Sequence, residues 1–276
     1  MTAQLAHDGS AFPAIGLGSS RLNGVAGADA VSAALRGGYR LVDSAFAYEN
    51  EGAVGRGVRE SGVDRSEVIV TSKLPGRHHD YDAALRTVEE SVYRIGAGAI
   101  DLYLIHWPNP GAGKYVEAWR ALIEARECGL VRRIGVSNFL PEHLERIEGE
   151  TGVRPVVNQI ELHPRFPQEE ALAYHREHGI VTEAWSPVGR GGDVVEDPVI
   201  ARVAAAHGVT PVQAILAWHV ARGAVPLPKS QDPARQCENL AAENIVLAPE
   251  EVAAITALGR PDGRLKGQDP AVYEEF

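Results

Sequence analysis

The 276-residue chain is poor in several features, and each shortage excludes a class of protein. Its two cysteines, Cys128 and Cys237, are too few for a disulfide framework and favour a reducing compartment. No apolar run is long enough to cross a bilayer, and the N-terminal segment lacks the basic and apolar regions of a signal peptide. There is no dense block of Lys and Arg, and the formal net charge is -10, which argues against a nucleic-acid partner. We therefore expect a cytoplasmic protein that binds neither membrane nor nucleic acid.

What the chain does contain is a regular alternation of strand-like and helix-like segments. Eight short apolar runs predict strands that end near residues 17, 43, 71, 105, 136, 159, 185 and 227. Eight β/α pairs in a chain of this length favour a single α/β domain over residues 1–276, a (β/α)8 TIM barrel with parallel strands. An open doubly wound sheet is the alternative, but its G-x-G-x-x-G fingerprint is not met, because the segment from Gly16 to Arg21 ends in arginine.

Three further segments carry structural expectations. Two short runs, around residues 4–6 and 11–12, predict an N-terminal β-hairpin. Asp197 or Thr210 is the candidate N-cap of the seventh helix, since both residue types accept hydrogen bonds from a first helical turn. Residues 259–276 are rich in glycine, proline and charge, so this tail is expected to be irregular and either to drape over the barrel or to be disordered.

Four ionisable residues, Asp43, Tyr48, Lys73 and His106, come at or just after the ends of three successive predicted strands. In a parallel barrel the carboxyl ends of the strands converge on one mouth, so these side chains should meet there. An ammonium beside a phenol favours the phenolate, so we expect Lys73, held by Asp43, to lower the pKa of Tyr48. Tyr48 would then donate a proton to a carbonyl oxygen, and His106 would orient that carbonyl. No side chain transfers a hydride, so the scheme requires a redox cofactor.

Each of the four residues alone has an ordinary structural explanation, such as a capping acid or a solvated amine. All four together at the ends of successive strands favour a functional site.

The segments around these residues closely resemble the aldo-keto reductases. The resemblance is carried by residues 41–51, 71–74 and 101–108, and it continues through 134–139, 158–164, 184–189 and 228–239. It covers nearly the whole chain and is strongest to the prokaryotic 2,5-diketo-D-gluconate reductase-like members of the family. The resemblance implies a nicotinamide cofactor bound on a (β/α)8 barrel. It also implies an enzyme that reduces small aldehydes or ketones, sugar-derived or dicarbonyl, to alcohols, with the proton coming from Tyr48.

The resemblance further assigns cofactor contacts along the chain. It implies nicotinamide contacts from Ser137, Asn138 and Gln159, ring stacking by Trp185, pyrophosphate contacts from Ser186, Pro187, Val188 and Gly189, and adenosine contacts from Lys229, Ser230, Arg235, Glu238 and Asn239. Two cations suit the 2′-phosphate of NADPH, so we expect NADPH as the cofactor, with NADH as the second candidate.

The substrate pocket is expected to include Trp107, Phe46 and Ser20. Three positions depart from the family pattern: Trp185 replaces the usual stacking Tyr, Pro75 replaces a Trp two residues after the catalytic Lys, and Ser20 replaces an aromatic residue. The larger ring of Trp185 can still stack, whereas the other two changes predict a pocket that is more open or more polar.

Two other functions remain open at this point. A non-catalytic nicotinamide-binding or regulatory protein would keep the same barrel and the cofactor residues, since fold does not determine function. A metal-dependent hydrolase ranks last, because the strand ends lack clustered ligands and we predict no metal site. The expected partner is a small carbonyl compound, and a monomer is expected because the barrel closes on itself.

Overall fold

The computed structural model describes residues 3–276, which form a barrel of parallel strands preceded by a hairpin. The hairpin consists of β1 (Gln4–Leu5) and β2 (Ala11–Phe12), which pair antiparallel. The barrel strands are β3 (Leu17–Gly18), β4 (Leu41–Asp43), β5 (Ile69–Leu74), β6 (Leu102–Ile105), β7 (Ile134–Ser137), β8 (Val157–Glu161), β9 (Val181–Trp185) and β10 (Ala224–Pro226). The strands from β3 to β10 pair parallel and in chain order.

The barrel closes between its first and last strands. The backbone N–H of Gly16 donates to the carbonyl of Pro226 at 3.0 Å, and that of Gly18 donates to Pro228 at 3.1 Å. These bonds complete the ring of strands, so the predicted (β/α)8 barrel and its N-terminal hairpin are confirmed.

Ten α-helices surround the strands within residues 3–276. They are α1 (Gly24–Arg36), α2 (Glu51–Glu60), α3 (Tyr81–Ile95), α4 (Tyr115–Glu127), α5 (Pro141–Thr151), α6 (Glu169–His178), α7 (Pro198–His207), α8 (Pro211–Ala221), α9 (Pro233–Ala241) and α10 (Pro249–Thr256). Both candidate caps of the seventh helix are used, because two helices lie where one was expected. Asp197 caps α7 through the N–H of Val199, and Thr210 caps α8 through that of Gln213.

The alternation of side chains along each strand divides the barrel interior into an apolar floor and a polar upper layer. In the floor, Leu41, Leu104 and Val157 are fully buried together with Phe12 from the hairpin. Further along β4, the next inward-facing residue after Leu41 is Asp43. The hairpin therefore closes the amino-terminal end of the barrel and leaves the opposite end for polar side chains.

The tail after α10 is irregular and crosses the open end of the barrel, which is the first of the two arrangements expected for it. The backbone of Glu275 forms two hydrogen bonds with the side-chain amide of Asn109, at 2.8 and 3.1 Å. The ring of Tyr273 lies 4.5 Å from that of Trp107. The tail thereby becomes part of the wall around the barrel mouth.

Within the described residues, no single helix is long and apolar enough to cross a membrane. The α7 and α8 segments reach that length and apolarity only when joined, and they are bent by 88°.

The hairpin provides a test of how the barrel is stabilised. Phe12→Ala should lower the free energy of unfolding by about 3–5 kcal/mol, because it leaves a cavity at the barrel floor. Leu5→Ala on the neighbouring strand is the control, since Leu5 is exposed and should change stability by less than about 0.5 kcal/mol. Urea unfolding measures both. Equal losses in the two variants would contradict the role assigned to the hairpin.

Candidate active site

The open end of the barrel holds a cleft of about 840 Å³. It is lined by the loops that follow the barrel strands and by the tail, as expected for the carboxyl ends of parallel strands. The sequence-predicted residues that line it are Ser20, Asp43, Tyr48, His106, Trp107, Asn138, Gln159, Trp185, Ser186, Pro187, Val188, Lys229 and Arg235.

Lys73 lies directly beneath this cleft, and its ammonium is fully buried. Its Nζ donates to Oδ1 of Asp43 at 2.5 Å and to the carbonyl of Ser44 at 2.7 Å. The same Nζ is 5.1 Å from the centre of the Tyr48 ring, which in turn packs edge-on against the His106 ring at 5.9 Å. The structure therefore brings the four predicted catalytic residues together.

Burial and charge act in opposite directions on these groups. Burial lowers the pKa of Lys73, but Asp43, together with Tyr48 and Glu183, outweighs this and holds it above its usual value. Burial raises the pKa of Tyr48, and the Lys73 ammonium lowers it only in part, so the net pKa of Tyr48 is raised. We expected Lys73 to lower this pKa below its usual value, and for the protein alone that expectation is wrong. The reason is that taking the phenolate out of water costs more than one nearby ammonium returns.

A buried carboxyl group that sequence reasoning missed completes the polar layer. The amide nitrogen of Gln159 donates to Oδ1 of Asp43 and to Oε2 of Glu183, both at 2.8 Å. Burial, followed by the charge of Asp43, raises the pKa of Glu183 to about 7, against the opposing effects of Gln159 and Lys73. A signal for this residue exists in β9, because Glu183 lies two residues from Val181 and from Trp185 and so shares with these apolar residues the strand face that points into the barrel.

The predicted nicotinamide-binding residues form a second polar group beside the first. Asn138 adopts a left-handed backbone with φ 62°, which Asn tolerates well. Its amide donates to the carbonyl of His106 and the hydroxyl of Ser137, both at 3.0 Å, and accepts from the indole of Trp185 at 2.8 Å. Because the nitrogen of Gln159 is held by two carboxyl groups, its oxygen is left to accept a hydrogen bond from an amide in the cleft.

The other part of the cleft is rich in positive charge. Besides Lys229 and Arg235, it is lined by Arg21, Arg190 and Lys266, which sequence reasoning did not identify. Of these five cations, only Arg235 has an acidic partner within 4.0 Å among residues 3–276, and that contact to Asp232 is 3.9 Å long. Unbalanced positive charge of this kind suits a pyrophosphate and a further phosphate, so the residues present fit NADPH.

Arg21 follows the Gly-x-Gly turn after the first strand, which is a usable sequence signal. Arg190 and Lys266 lie in irregular segments, where nothing in the sequence indicates that they reach the cleft.

Several predicted site residues do not line the cleft. The ring of Phe46 packs against the Arg94 guanidinium at 4.2 Å instead of facing the cleft. Glu238 accepts a hydrogen bond from the hydroxyl of Thr210 at 2.7 Å, and Asn239 is buried in the same helix. The Ser230 hydroxyl forms hydrogen bonds with the backbone of Asp232, the residue before α9. Gly189 lies in the loop after β9 with a positive φ.

The tail contributes two contacts to the wall of the cleft. Tyr273 covers Trp107, and Oε1 of Glu275 lies 2.7 Å from Nδ1 of His106. No sequence pattern indicates these contacts, because they join residues far apart in the chain.

The raised pKa of Glu183 makes stability depend on pH. An acid whose pKa is higher in the folded state loses stability as the pH rises from its usual value of 4.5 through about 7, because the folded protein must then hold a buried charge. Glu183→Gln should therefore be more stable than wild type at pH 8, by up to about 3 kcal/mol, and equal to it near pH 4.5. Urea unfolding at both pH values measures this, with Glu250→Gln at an exposed site of α10 as control. A difference that does not change with pH would refute the assignment.

Comparison with known proteins agrees with this geometry. Residues 14–260 match the model of the Aldo/keto reductase family. The chain is 49% identical over 270 residues to 2,5-diketo-D-gluconic acid reductase B of Corynebacterium sp. (strain SHS752001), covering 98% of this chain and 97% of that protein. A Gox0644 variant solved in complex with NADPH superposes with a TM-score of 0.92 at 43% identity, covering 99% of this chain and 98% of that one. The aldo-keto reductase of Bombyx mori in complex with NADP gives 0.91 at 32% identity, with the same coverage. Matches of this length and identity show that the chain belongs to the aldo/keto reductase family.

Proposed function

We propose that this protein reduces the carbonyl group of small aldehydes and ketones to an alcohol with NADPH. The observation that carries the proposal is one cleft in which Tyr48, His106 and the buried Lys73–Asp43 pair meet, while a cluster of cations lines another part. The first group suits proton donation to an oxygen, and the second suits the phosphates of the cofactor.

Bound NADPH supplies the hydride, and the protein supplies the proton. The raised pKa of Tyr48 keeps its hydroxyl protonated until a carbonyl oxygen beside it gains negative charge. When the proton leaves, the Lys73 ammonium stabilises the remaining phenolate, and Asp43 keeps that ammonium in place. His106 orients the carbonyl by a hydrogen bond, so both donors act on the oxygen where charge develops.

Residues of the cleft would hold NADPH by its two polar ends. Ser137, Asn138 and Gln159 would bind the carboxamide, and Trp185 would lie against the nicotinamide ring. The pyrophosphate would lie along residues 186–189, where Arg21, Arg190 and Lys266 add the charge found in the structure. Lys229 and Arg235 would bind the 2′-phosphate, with Ser230, Glu238 and Asn239 near the adenosine.

The substrate would enter between Ser20, Trp107 and the tail. Sugar-derived and dicarbonyl compounds are the proposed substrates, supported by the reductase of 2,5-diketo-D-gluconic acid among the relatives. The non-catalytic alternative is not favoured, because the charged network beneath Tyr48 is complete.

We further propose a monomeric, single-domain enzyme of the cytoplasm. The closed ring of strands supports the first two points, because it leaves no unpaired barrel strand. Two exposed free cysteines, Cys128 and Cys237, support a reducing compartment.

Removal of the proton donor tests the mechanism. Tyr48→Phe should lower kcat for carbonyl reduction by about 100-fold to 10,000-fold while leaving NADPH affinity within a factor of about two, since the hydroxyl acts on the substrate. Tyr93→Phe on α3, where the side chain is exposed, is the matched control. Loss of NADPH absorbance with a panel of aldehydes and dicarbonyls measures turnover, and cofactor fluorescence measures binding. A fully active Tyr48→Phe enzyme would refute the assignment of Tyr48 as the proton donor.

Removal of the phosphate-binding charge tests cofactor choice. Lys229→Ala and Arg235→Ala should each raise the Kd of NADPH by about tenfold to a hundredfold, because each loses a charge-assisted hydrogen bond. The Kd of NADH should stay unchanged, which makes NADH the internal control. Arg56→Ala on α2 is the control for loss of a surface cation, since Arg56 pairs with Glu60 away from the cleft. Equal losses for both cofactors would contradict the placement of the 2′-phosphate.

A further inference from the structure

The tail places the Glu275 carboxylate, which itself lines the cleft, against the buried Nδ1 atom of the His106 ring. Oε1 of Glu275 lies 2.7 Å from Nδ1 of His106, and both side chains are nearly buried, at 12% and 13% exposure. Among residues 3–276 this buried nitrogen has no partner that meets hydrogen-bond geometry, so the short approach of the Glu275 carboxylate is a charge contact. The contact therefore determines the surroundings of this ring nitrogen.

The carboxylate is held by a built site. Its Oε2 accepts a hydrogen bond from the backbone N–H of Gly76 at 2.9 Å, and the backbone of Glu275 is bonded twice to Asn109. A side chain at position 76 would place its Cβ 2.6 Å from the carbonyl oxygen of Glu275, so glycine is required for the tail to approach this closely. The position of Glu275 is thus determined by packing and by main-chain bonds as well as by charge.

The charge at this site is carried by Glu275 and not by the nearby His79. Burial raises the pKa of Glu275, but the His106 ring and the N–H of Gly76 outweigh this and lower it below its usual value, so the group is a carboxylate at neutral pH. Burial lowers the pKa of the nearby His79 to about 4, so that ring is neutral and does not compete for the carboxylate.

A carboxylate at Nδ1 has a consequence for the orientation of the ring. Held against one ring nitrogen, it restricts rotation of the imidazole and so fixes the direction in which the other nitrogen, Nε2, points, as a carboxylate does for a catalytic histidine in other enzymes.

We propose that Glu275 is a positioning residue for carbonyl reduction: it holds the His106 ring at Nδ1 and so directs Nε2 toward the substrate oxygen. This inference rests on the proposed function, since it needs a carbonyl substrate beside Tyr48.

The neighbouring Glu274 provides a matched control. Its Oε1 accepts a hydrogen bond from the backbone N–H of Gly111 at 2.6 Å, so it also holds the tail to a loop, but it makes no contact with His106. Glu274→Ala and Glu275→Ala remove the same group from adjacent positions, and both keep the backbone bonds to Asn109.

The first experiment compares kcat/KM of these variants with NADPH and an uncharged aldehyde, so that repulsion between Glu275 and an anionic substrate plays no part. Glu275→Ala should lower kcat/KM by about tenfold to a hundredfold, as the loss of a carboxylate behind a functional histidine typically does. Glu274→Ala should keep kcat/KM within a factor of about two of the wild-type value. Any change in the Kd of NADPH or in the Tm should be the same in both variants. Unchanged kcat/KM in Glu275→Ala would overturn the inference.

A double-mutant cycle separates positioning of His106 from a general effect of the tail. In a His106→Asn background, measured at high enzyme concentration, Glu275→Ala should cause no further loss, because Glu275 acts only through the ring. An equal further loss in that background would overturn the inference and leave Glu275 a structural tail anchor. A wild-type enzyme that reduces no aldehyde would instead overturn the proposed function, and this inference with it.

Discussion

The ammonium of Lys73 inside the barrel is the constraint on which the rest of the site depends. An unpaired charge at this depth would be strongly destabilising, so the surrounding residues must compensate it. Asp43 and the carbonyl of Ser44 do so directly, and Gln159 binds the same oxygen of Asp43 from the other side. Removing any one partner leaves another polar group buried without a bond, which explains why the interior above the hydrophobic floor is polar.

The same network sets the protonation of the groups around it. Glu183 shares the amide of Gln159 with Asp43. Its pKa of about 7 reflects first its burial and then the cost of placing a second carboxylate so near the first. The phenol of Tyr48 keeps its proton because burial raises its pKa, and the charge of Asp43 acts in the same direction, against the opposing effect of the Lys73 ammonium. Such a site is ready to release a proton only when a partner in the cleft develops charge.

Much of this arrangement follows from local patterns. Strand periodicity predicts eight strands and places Asp43, Lys73 and His106 at one end of a parallel barrel, because the carboxyl ends of such strands share one mouth. The pKa of Tyr48 was predicted in the wrong direction, since the sequence shows which charge lies nearby but not how deeply the phenol is buried. Phe46 was expected in the pocket, whereas its ring packs on the guanidinium of Arg94 and does not line the cleft.

The sequence by itself determined the barrel, its hairpin and the four proposed catalytic residues, because periodicity and strand-end position are local properties of the chain. Tertiary structure alone decided that Arg190 and Lys266 reach the cleft, that Asp43 and Glu183 share the amide of Gln159, and that Glu275 meets His106. Gln159 and Asp43, like Glu275 and His106, lie more than a hundred residues apart, and Arg190 and Lys266 lie in irregular loops. No repeating pattern encodes these contacts, and they exist only once closure of the barrel has brought its loops and the tail to one end.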